Sequence, residues 1–505
     1  MKKRVQLLIL IALVLFVGIV LKQWSEVILY TAGFIVELGG VVIVIRLLFW
    51  DKRNTTSKVA WMAAVFVLPV FGVFLYLFFG RNPQNRIFHH NQTNEMHKIA
   101  DTIHQLPPHE DGKKPPRLSK RIQHLTEINP VNGNKLTLLT NGEETFPAII
   151  QALKQAKNHI HIQYYIYKSD EIGTEIRDIL IERAKAGVEV RFMYDAWGTA
   201  KLSEQFLEPM REVGIHIHAF DPIRSIWIAR TANLRNHRKI IVIDGQIGFT
   251  GGLNIGEEYR SNTPDFAVWR DTHIQIEGMA VIELQESFLV DWVYMENKAG
   301  SADLFISEAG IDQYFSPKPV GNEWAQVVYG GPYDKEKYVR DAMLDLIDSA
   351  QESVWITSPY FVPDEESLAV IRRVALSGID VRIILPGKGD RGISFHGSNS
   401  NIETMLEAGA KVYAYRDDSF VHAKLLLIDG ERAAVGTANF DIRSFRLNHE
   451  LMVFLYERDQ AIVKMERDFE ADFEVSKLYT MEDIRKKSWY VKMKENLSSL
   501  LSPIL

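Results

Sequence analysis

The chain has 505 residues, enough for two or three domains with buried cores, and is 47% hydrophobic and 24% charged. It contains no cysteine, which excludes disulfide scaffolds and Cys-ligated metals. Its net charge of −6 argues against a nucleic-acid polyanion as the main substrate, since such binding rests on neutralising phosphates.

The first 80 residues read as membrane. Met1 to Arg4 is basic and Leu7 to Leu21 is an unbroken apolar run. Lys22-Gln23-Trp24 follows where a signal peptide would need small residues, so residues 5–22 are expected to be an uncleaved anchor. Residues 27–50 form a second apolar segment, interrupted by Glu37 and Arg46. Arg46 can snorkel to the interface while Glu37 marks a half-buried helix, or the two charges belong to a partnered polar site inside the bundle. Residues 59–80 carry no charge, and membrane helices tolerate a Pro69 and a Gly72 when neighbours satisfy the backbone. Three segments and a multi-pass topology are therefore expected. Basic residues precede the first segment, lie between the second and third, and follow the third. All three positions cannot share one side if every segment crosses.

Residues 81–130 are polar, with Pro107-Pro108 and Pro115-Pro116, and read as a linker. Its histidines (His89, His90, His97, His104 and His109) have no ligand spacing and read as solvated surface. Beyond it, two α/β halves are expected, 131–320 and 321–480, with the same order of elements. In the first, Phe146–Lys157 has helical period, His159–Tyr167 alternates as a strand, Gly173–Ala186 is helix and Val188–Tyr194 strand. The second repeats this with Tyr338–Ala350, Val354–Phe361, Glu365–Ser377 and Ile379–Leu385. A helix into Gly214 with strand Ile215–Phe220 then matches a helix into Gly409 with strand Ala410–Tyr415.

Each half carries one copy of a motif. His237-x-Lys239-x4-Asp244 is followed by Asn254, and His422-x-Lys424-x4-Asp429 by Asn439, with identical offsets of 2, 7 and 17. On a strand, residues two apart share a face, so each half offers an imidazole beside an ammonium. Brought together, two His, two Lys and two Asn suit a tetrahedral phosphate: Lys239, Lys424, Asn254 and Asn439 hold oxygens while the imidazoles do in-line chemistry. One histidine can attack phosphorus while the other protonates the leaving alcohol and deprotonates the incoming one. Such a site needs no metal or other cofactor, because lysines supply the charge. Asp271, 34 residues after His237, and Glu450, 28 after His422, lie in matching places as candidates to orient the rings. Asp244 and Asp429 end each strand at Asp-Gly, a turn position, and complete the catalytic set as the motif's third member.

These residues resemble the phospholipase D superfamily. The second copy agrees with that family through Asp441-Ile442-Arg443-Ser444-Phe445 and Asn448-His449-Glu450, whereas the first departs at Gly252, where a serine is common. The departure is expected to remove a hydroxyl from the phosphate shell. Arg46–Trp50, Trp61, Leu68–Gly72, Leu75–Arg81, Tyr194–Gly198, Tyr360–Asp364 and the ending Leu500–Leu505 further resemble bacterial cardiolipin synthases. The resemblance implies phosphatidyl transfer between two phosphatidylglycerol molecules in the bilayer, giving cardiolipin and glycerol through a phosphatidyl-histidine. By analogy His237 is the nucleophile and His422 the acid and base. The alternative is a membrane-bound phospholipase D with water as acceptor.

Two other stretches mix basic and apolar residues as an anionic interface requires. One is Ile223–Arg230 with Arg235, inserted before the first motif. The other is the amphipathic tail 481–505, where Arg485-Lys486-Lys487-Ser488-Trp489-Tyr490 leads into Leu497, Leu500 and Leu501. For both, packing against the protein is the competing expectation.

Overall fold

The computed structural model describes residues 26–51, 55–80, 114–222, 233–260, 266–299, 312–334, 336–389 and 392–501. The expected anchor 5–22, the linker histidines and the insertion 223–230 lie outside these residues. The chain divides into two compact units, residues 1–89 with 223–233, and residues 90–222 with 234–505.

In the first unit a 24-residue helix, Glu26–Phe49, contains the one described stretch long and apolar enough to cross a bilayer, Tyr30–Phe49. Residues 59–80, expected as a further span, form two helices instead, Thr55–Val67 and Pro69–Phe79. Pro69 has no N–H to continue the ladder, so the first helix stops at Val67 and the second starts on the proline. The two helices fold back on one another. Trp61 meets Tyr76 edge-on at 5.5 Å, the two residues lying symmetrically about the break. At Gly72 a Cβ would strike the Ala64 carbonyl, so glycine permits the close turn. The hairpin packs on the long helix through Ile43, Leu47, Val65 and Tyr76, with Gly40 receiving Val65.

The second unit holds the two repeats. Among the described residues each contributes seven strands of four or more residues to one sheet. In the first half they are β1 (Val131–Thr140), β2 (His159–Tyr164), β3 (Glu189–Asp195), β4 (His216–Phe220), β5 (Ile240–Ile243), β6 (Ile247–Gly251) and β7 (Thr272–Gly278). In the second they are β8 (Glu323–Gly330), β9 (Ser353–Thr357), β10 (Asp380–Leu385), β11 (Lys411–Ala414), β12 (Leu425–Ile428), β13 (Arg432–Gly436) and β14 (Asn448–Leu455). Their order across one sheet is β11-β10-β9-β12-β13-β14-β8-β1-β7-β6-β5-β2-β3-β4, which reads the same from either end when the halves are exchanged. The join is the antiparallel pair β1–β8, with Val131 opposite Ala325.

Alternation along the strands sorts the cores. Ile240 and Val242, with Leu425 and Leu427, face a single core shared by both halves and roofed by helices Val281–Ala299 and Gln460–Glu474. Ile241 and Ile243 face a separate core on the other side, and Leu426 and Ile428 face a third. The motif strands are thus covered on both faces and read as continuous apolar runs. Glycines Gly187 and Gly378, at φ of 91° in each case, end corresponding helices as the sequence predicts. The end of the expected linker is structured: Arg117–Thr126 is a helix that buries Leu118 and Ile122 in the second-half core.

Candidate active site

Both His-x-Lys pairs sit immediately before fully buried strands, β5 and β12, which fix them at the sheet's end. His237 and His422 are 9% and 8% exposed, and Lys239 and Lys424 are buried. Each lysine turns back on its own motif, Lys239 Nζ donating to the His237 carbonyl at 2.7 Å and Lys424 Nζ to that of His422. The fields of the two motifs overlap, Lys424 acting on His237 and Lys239 on His422. One site therefore contains both halves of the motif.

The orienting carboxylates are exchanged between the halves. His237 Nδ1 lies 2.9 Å from a Glu450 oxygen, and His422 Nδ1 lies 2.7 Å from Asp271 Oδ2. Order along the chain pairs each carboxylate with the histidine of its own half; the fold does the reverse. Two parallel two-residue bridges are the cause. Arg235-Asn236 pairs with Asn448-His449, and Phe420-Val421 with Trp269-Arg270. The next residue on each strand is then a histidine on one side and a carboxylate on the other. The register also shows that Asp271 and Glu450 occupy equivalent places, each two residues before the partner of Gly251 or Gly436.

An ionised carboxylate can only accept, so each Nδ1 carries the proton and each Nε2 keeps its lone pair for chemistry. Burial pushes both histidines down to about 4, against the pull of their carboxylates, and so keeps them neutral near pH 7. Burial, with Lys424 nearby, brings Lys239 down to about 7. Burial alone would raise Glu450 and Asp271, yet the facing histidines and neighbouring lysines hold both below the ordinary range. A phosphodiester anion would reverse these shifts, restoring the Lys239 charge and favouring a protonated histidine.

The two asparagines differ. Asn254 accepts from the Ile166 N–H at 3.1 Å and donates to the Tyr259 hydroxyl at 3.0 Å, which ties down its own loop. Asn439 is buried, and its Oδ1 has no hydrogen-bond partner among the described residues. Gly252 is also explained differently from the sequence expectation. Its counterpart is Thr437, whose hydroxyl donates to Glu450 Oε2 at 2.6 Å. A Cβ at Gly252 would collide with the Asp271 carboxylate. The position therefore faces the orienting carboxylate, and the missing hydroxyl belongs to the support of Asp271.

Asp244 and Asp429 stand at the far ends of β5 and β12, at φ of 54° and 55°. Asp244 accepts the backbone N–H groups of Lys157, Asn158 and His159, and Asp429 those of Gln351, Glu352 and Ser353. Their carboxylates pin the start of β2 and of β9, so the geometry gives them the turn role and separates them from the reacting groups. Two other residues that position the site, Arg238 and Arg270, carry no local sequence signal. Arg238 binds Asp291 at 2.8 Å and the Gly330 carbonyl at 3.0 Å, tying the first motif to β8. Arg270 binds Asp472 at 2.9 Å beside Asp271. Asp195, within the quoted Tyr194–Gly198 stretch, accepts the Trp197, Gly198 and Asn236 N–H groups. The Tyr165 ring lies edge-on to His237 at 4.9 Å, and Trp269 lies 5.4 Å from His422.

Residues 149–292 and 343–473 match the family described as cardiolipin synthase, PLD-like domain, and residues 40–81 the phospholipase D-nuclease N-terminal family. Cardiolipin synthase 1 of Bacillus anthracis is 45% identical over 100% of both chains. Cardiolipin synthase of Geobacillus sp. strain WCH70 is 39% identical over 99% of each. The chain belongs to the bacterial cardiolipin synthase family of the phospholipase D superfamily. Among solved structures, a phosphatidylserine synthase of Haemophilus influenzae shares the fold, with a TM-score of 0.57 at 18% identity over 77% of this chain and 99% of that one.

The neutral, buried histidines of this cardiolipin synthase site make stability depend on pH. They stay unprotonated when folded down to about pH 4, whereas unfolded histidine takes up a proton below roughly pH 6.5. Their contribution to stability is therefore lost as pH drops through that window, because at these two positions the unfolded chain binds more protons. Asp271 and Glu450 stay charged there and add their loss only below it. Burial lowers His159, His161, His273 and His449 in the same way and raises Glu283, Glu286 and Asp441, which act in the opposite sense. The melting temperature of detergent-solubilised His237→Gln/His422→Gln, relative to that of the unsubstituted protein, should therefore rise as pH falls from about 6.5 to 4.5.

Proposed function

We propose that the chain catalyses phosphatidyl transfer between two phosphatidylglycerol molecules in the bilayer. The observation that carries this reading is the pair of crossed imidazole–carboxylate contacts in one buried site with two lysines. His237 Nε2 attacks phosphorus, the bond to the departing glycerol oxygen breaks, and His422 gives that oxygen a proton. Glycerol leaves and a phosphatidyl-His237 remains. His422 then takes the proton of the second lipid's terminal hydroxyl, whose oxygen attacks phosphorus as the P–N bond breaks, yielding cardiolipin. Lys239, Lys424 and the Asn439 amide hold the non-bridging oxygens, where charge accumulates. Asp271 and Glu450 support whichever ring becomes imidazolium.

Incubation of the protein with phosphatidylglycerol in mixed micelles should give cardiolipin and glycerol by mass spectrometry. Phosphatidic acid without either would show water to be the acceptor and overturn the synthase reading. His237→Ala should lower turnover by roughly a thousandfold or more and abolish the covalent adduct. An adduct that survives there but is lost in His422→Ala would exchange the two roles.

The membrane attachment is read as two crossing segments, about 5–22 and Tyr30–Phe49, and one hairpin that enters and leaves by the same face. The hairpin helices, 13 and 11 residues long, extend only about 20 and 16 Å, short of the roughly 30 Å of hydrocarbon. Val65 and Val73, near the bend, lie against Gly40, midway along Tyr30–Phe49, so the hairpin reaches about half-way. Its outer surface is apolar, with Phe66, Val67, Val70 and Phe71 all exposed. This arrangement removes the topological conflict in the sequence. Lys2, Lys3, Arg4, Lys52, Arg53, Lys58 and Arg81 then share one side, as the positive-inside rule asks. Because the chain lacks cysteine, Ser57→Cys and Asn82→Cys are single labelling sites. A membrane-impermeant maleimide should reach both from the same side of sealed vesicles. Reaction from opposite sides would restore a complete span.

A further inference from the structure

The C-terminal helix Trp489–Leu501 is turned the wrong way for a helix that serves only to pack. Its partner within the second half is the short helix Gly392–Asn399. The described side it buries is mainly polar: Glu495 is 5% exposed and bonds Lys487 at 2.8 Å, Ser498 is 8% exposed, and Val491 is half-buried beside them. The side it leaves in water is apolar. Trp489 is 75% exposed, Tyr490 49%, Met493 40% and Leu497 52%. Trp489, Met493 and Leu497 recur every four residues, so they form one continuous stripe along the helix, with Tyr490 beside it. Scattered exposed apolar groups are ordinary, but a contiguous stripe on the outer face of an inverted helix calls for a partner.

The chemistry around the stripe identifies that partner. Lys492 and Lys494 flank it on either side of the helix, and Arg485, Lys486 and Lys487 precede it, while residues 484–494 contain no acidic side chain. Lys486 is paired with Glu482 and Lys487 with Glu495; Lys492 comes within 4.0 Å of Glu403 and Lys494 lies 4.6 Å over the Tyr490 ring. Over residues 481–501 Arg485, Lys486, Lys487, Lys492 and Lys494 outnumber Glu482, Asp483 and Glu495. This local excess of positive charge on a chain of net charge −6 favours an anionic surface. Trp and Tyr beside lysines with apolar stems suit the headgroup boundary, where one end of each side chain is dry and the other wet. We propose that helix Trp489–Leu501 docks flat on an anionic phospholipid leaflet, inserting Trp489, Met493 and Leu497. The placement has a consequence for the site. Helix Gly392–Asn399 holds the Phe361 N–H through Ser398 Oγ at 2.9 Å, and Phe361-Val362 pairs with Phe440-Asp441, the residues directly after Asn439. A bilayer seated on the helix is therefore linked to the buried Asn439 through two packed elements. The proposal rests on the helix alone and stands whether or not the transferase reading holds.

The test uses the full chain reconstituted in vesicles, with an environment-sensitive fluorophore on Met493→Cys, the only thiol present. Vesicles contain either phosphatidylglycerol with phosphatidylcholine or phosphatidylcholine alone, together with a lipid bearing a nitroxide at headgroup depth. Quenching at position 493 in the anionic vesicles should exceed that at the exposed control Lys154→Cys by about threefold or more, and Lys492→Glu/Lys494→Glu should abolish the preference for anionic lipid. Quenching equal to the control overturns the proposal. So does a blue-shifted probe that lipid nitroxide cannot quench, which would mean that a protein surface, such as a second copy, covers the stripe.

Discussion

Everything in the catalytic unit depends on the exchange of carboxylates across the pseudo-two-fold axis. A histidine of one half is oriented by an acid of the other, His237 by Glu450 and His422 by Asp271. Neither half can present a correctly protonated imidazole alone, because the group that fixes its tautomer arrives on the neighbouring chain segment. The palindromic sheet, the β1–β8 join and the two parallel bridges are the means by which that crossing is enforced. Apolar strands buried on both faces then hold the crossing in register, since a one-residue slip would turn every side chain over.

Duplication supplied two equivalent places, and the residues filling them have since diverged. Glu450 is held by Thr437 and by Asn448 Nδ2 at 3.0 Å as well as by His237, whereas Asp271 has the backbone N–H of Thr272 and the glycine gap at 252. Asn254 is committed to its own loop while Asn439 is not. His422 lies beside Trp269 where His237 lies beside Tyr165. A ping-pong phosphoryl transfer asks different things of its two histidines, one to form a bond and one to move a proton. Unequal surroundings allow near-identical motifs to serve those two roles.

Much of this is legible in the sequence. Ile240–Ile243 and Leu425–Ile428 announce themselves as buried strands by composition, and the matched offsets of His237 and His422 announce one site in two pieces. Those are local or periodic signals. What the sequence could not carry were relations between distant residues. Nothing within the Asp271 stretch states that its imidazole lies 151 residues away, and the meaning of Gly252 depends on which side chain fills the space its missing Cβ leaves. Arg238 looks like a spacer between His and Lys until its partner Asp291 is seen. The segment 59–80 shows the same limit. Hydropathy registers apolar length, but the break at Leu68–Pro69 and the contact of Trp61 with Tyr76 decide whether that length is crossed or folded back.

Double-mutant cycles on the stability of the solubilised protein address the exchange without reference to catalysis or to which histidine attacks. His237→Asn, His422→Asn, Glu450→Gln and Asp271→Asn would be combined pairwise and the coupling energies taken from unfolding. The crossed site predicts coupling of about 1–3 kcal/mol for His237 with Glu450 and for His422 with Asp271, and near zero for His237 with Asp271 and His422 with Glu450. Strong coupling within each half, with none across, would contradict it.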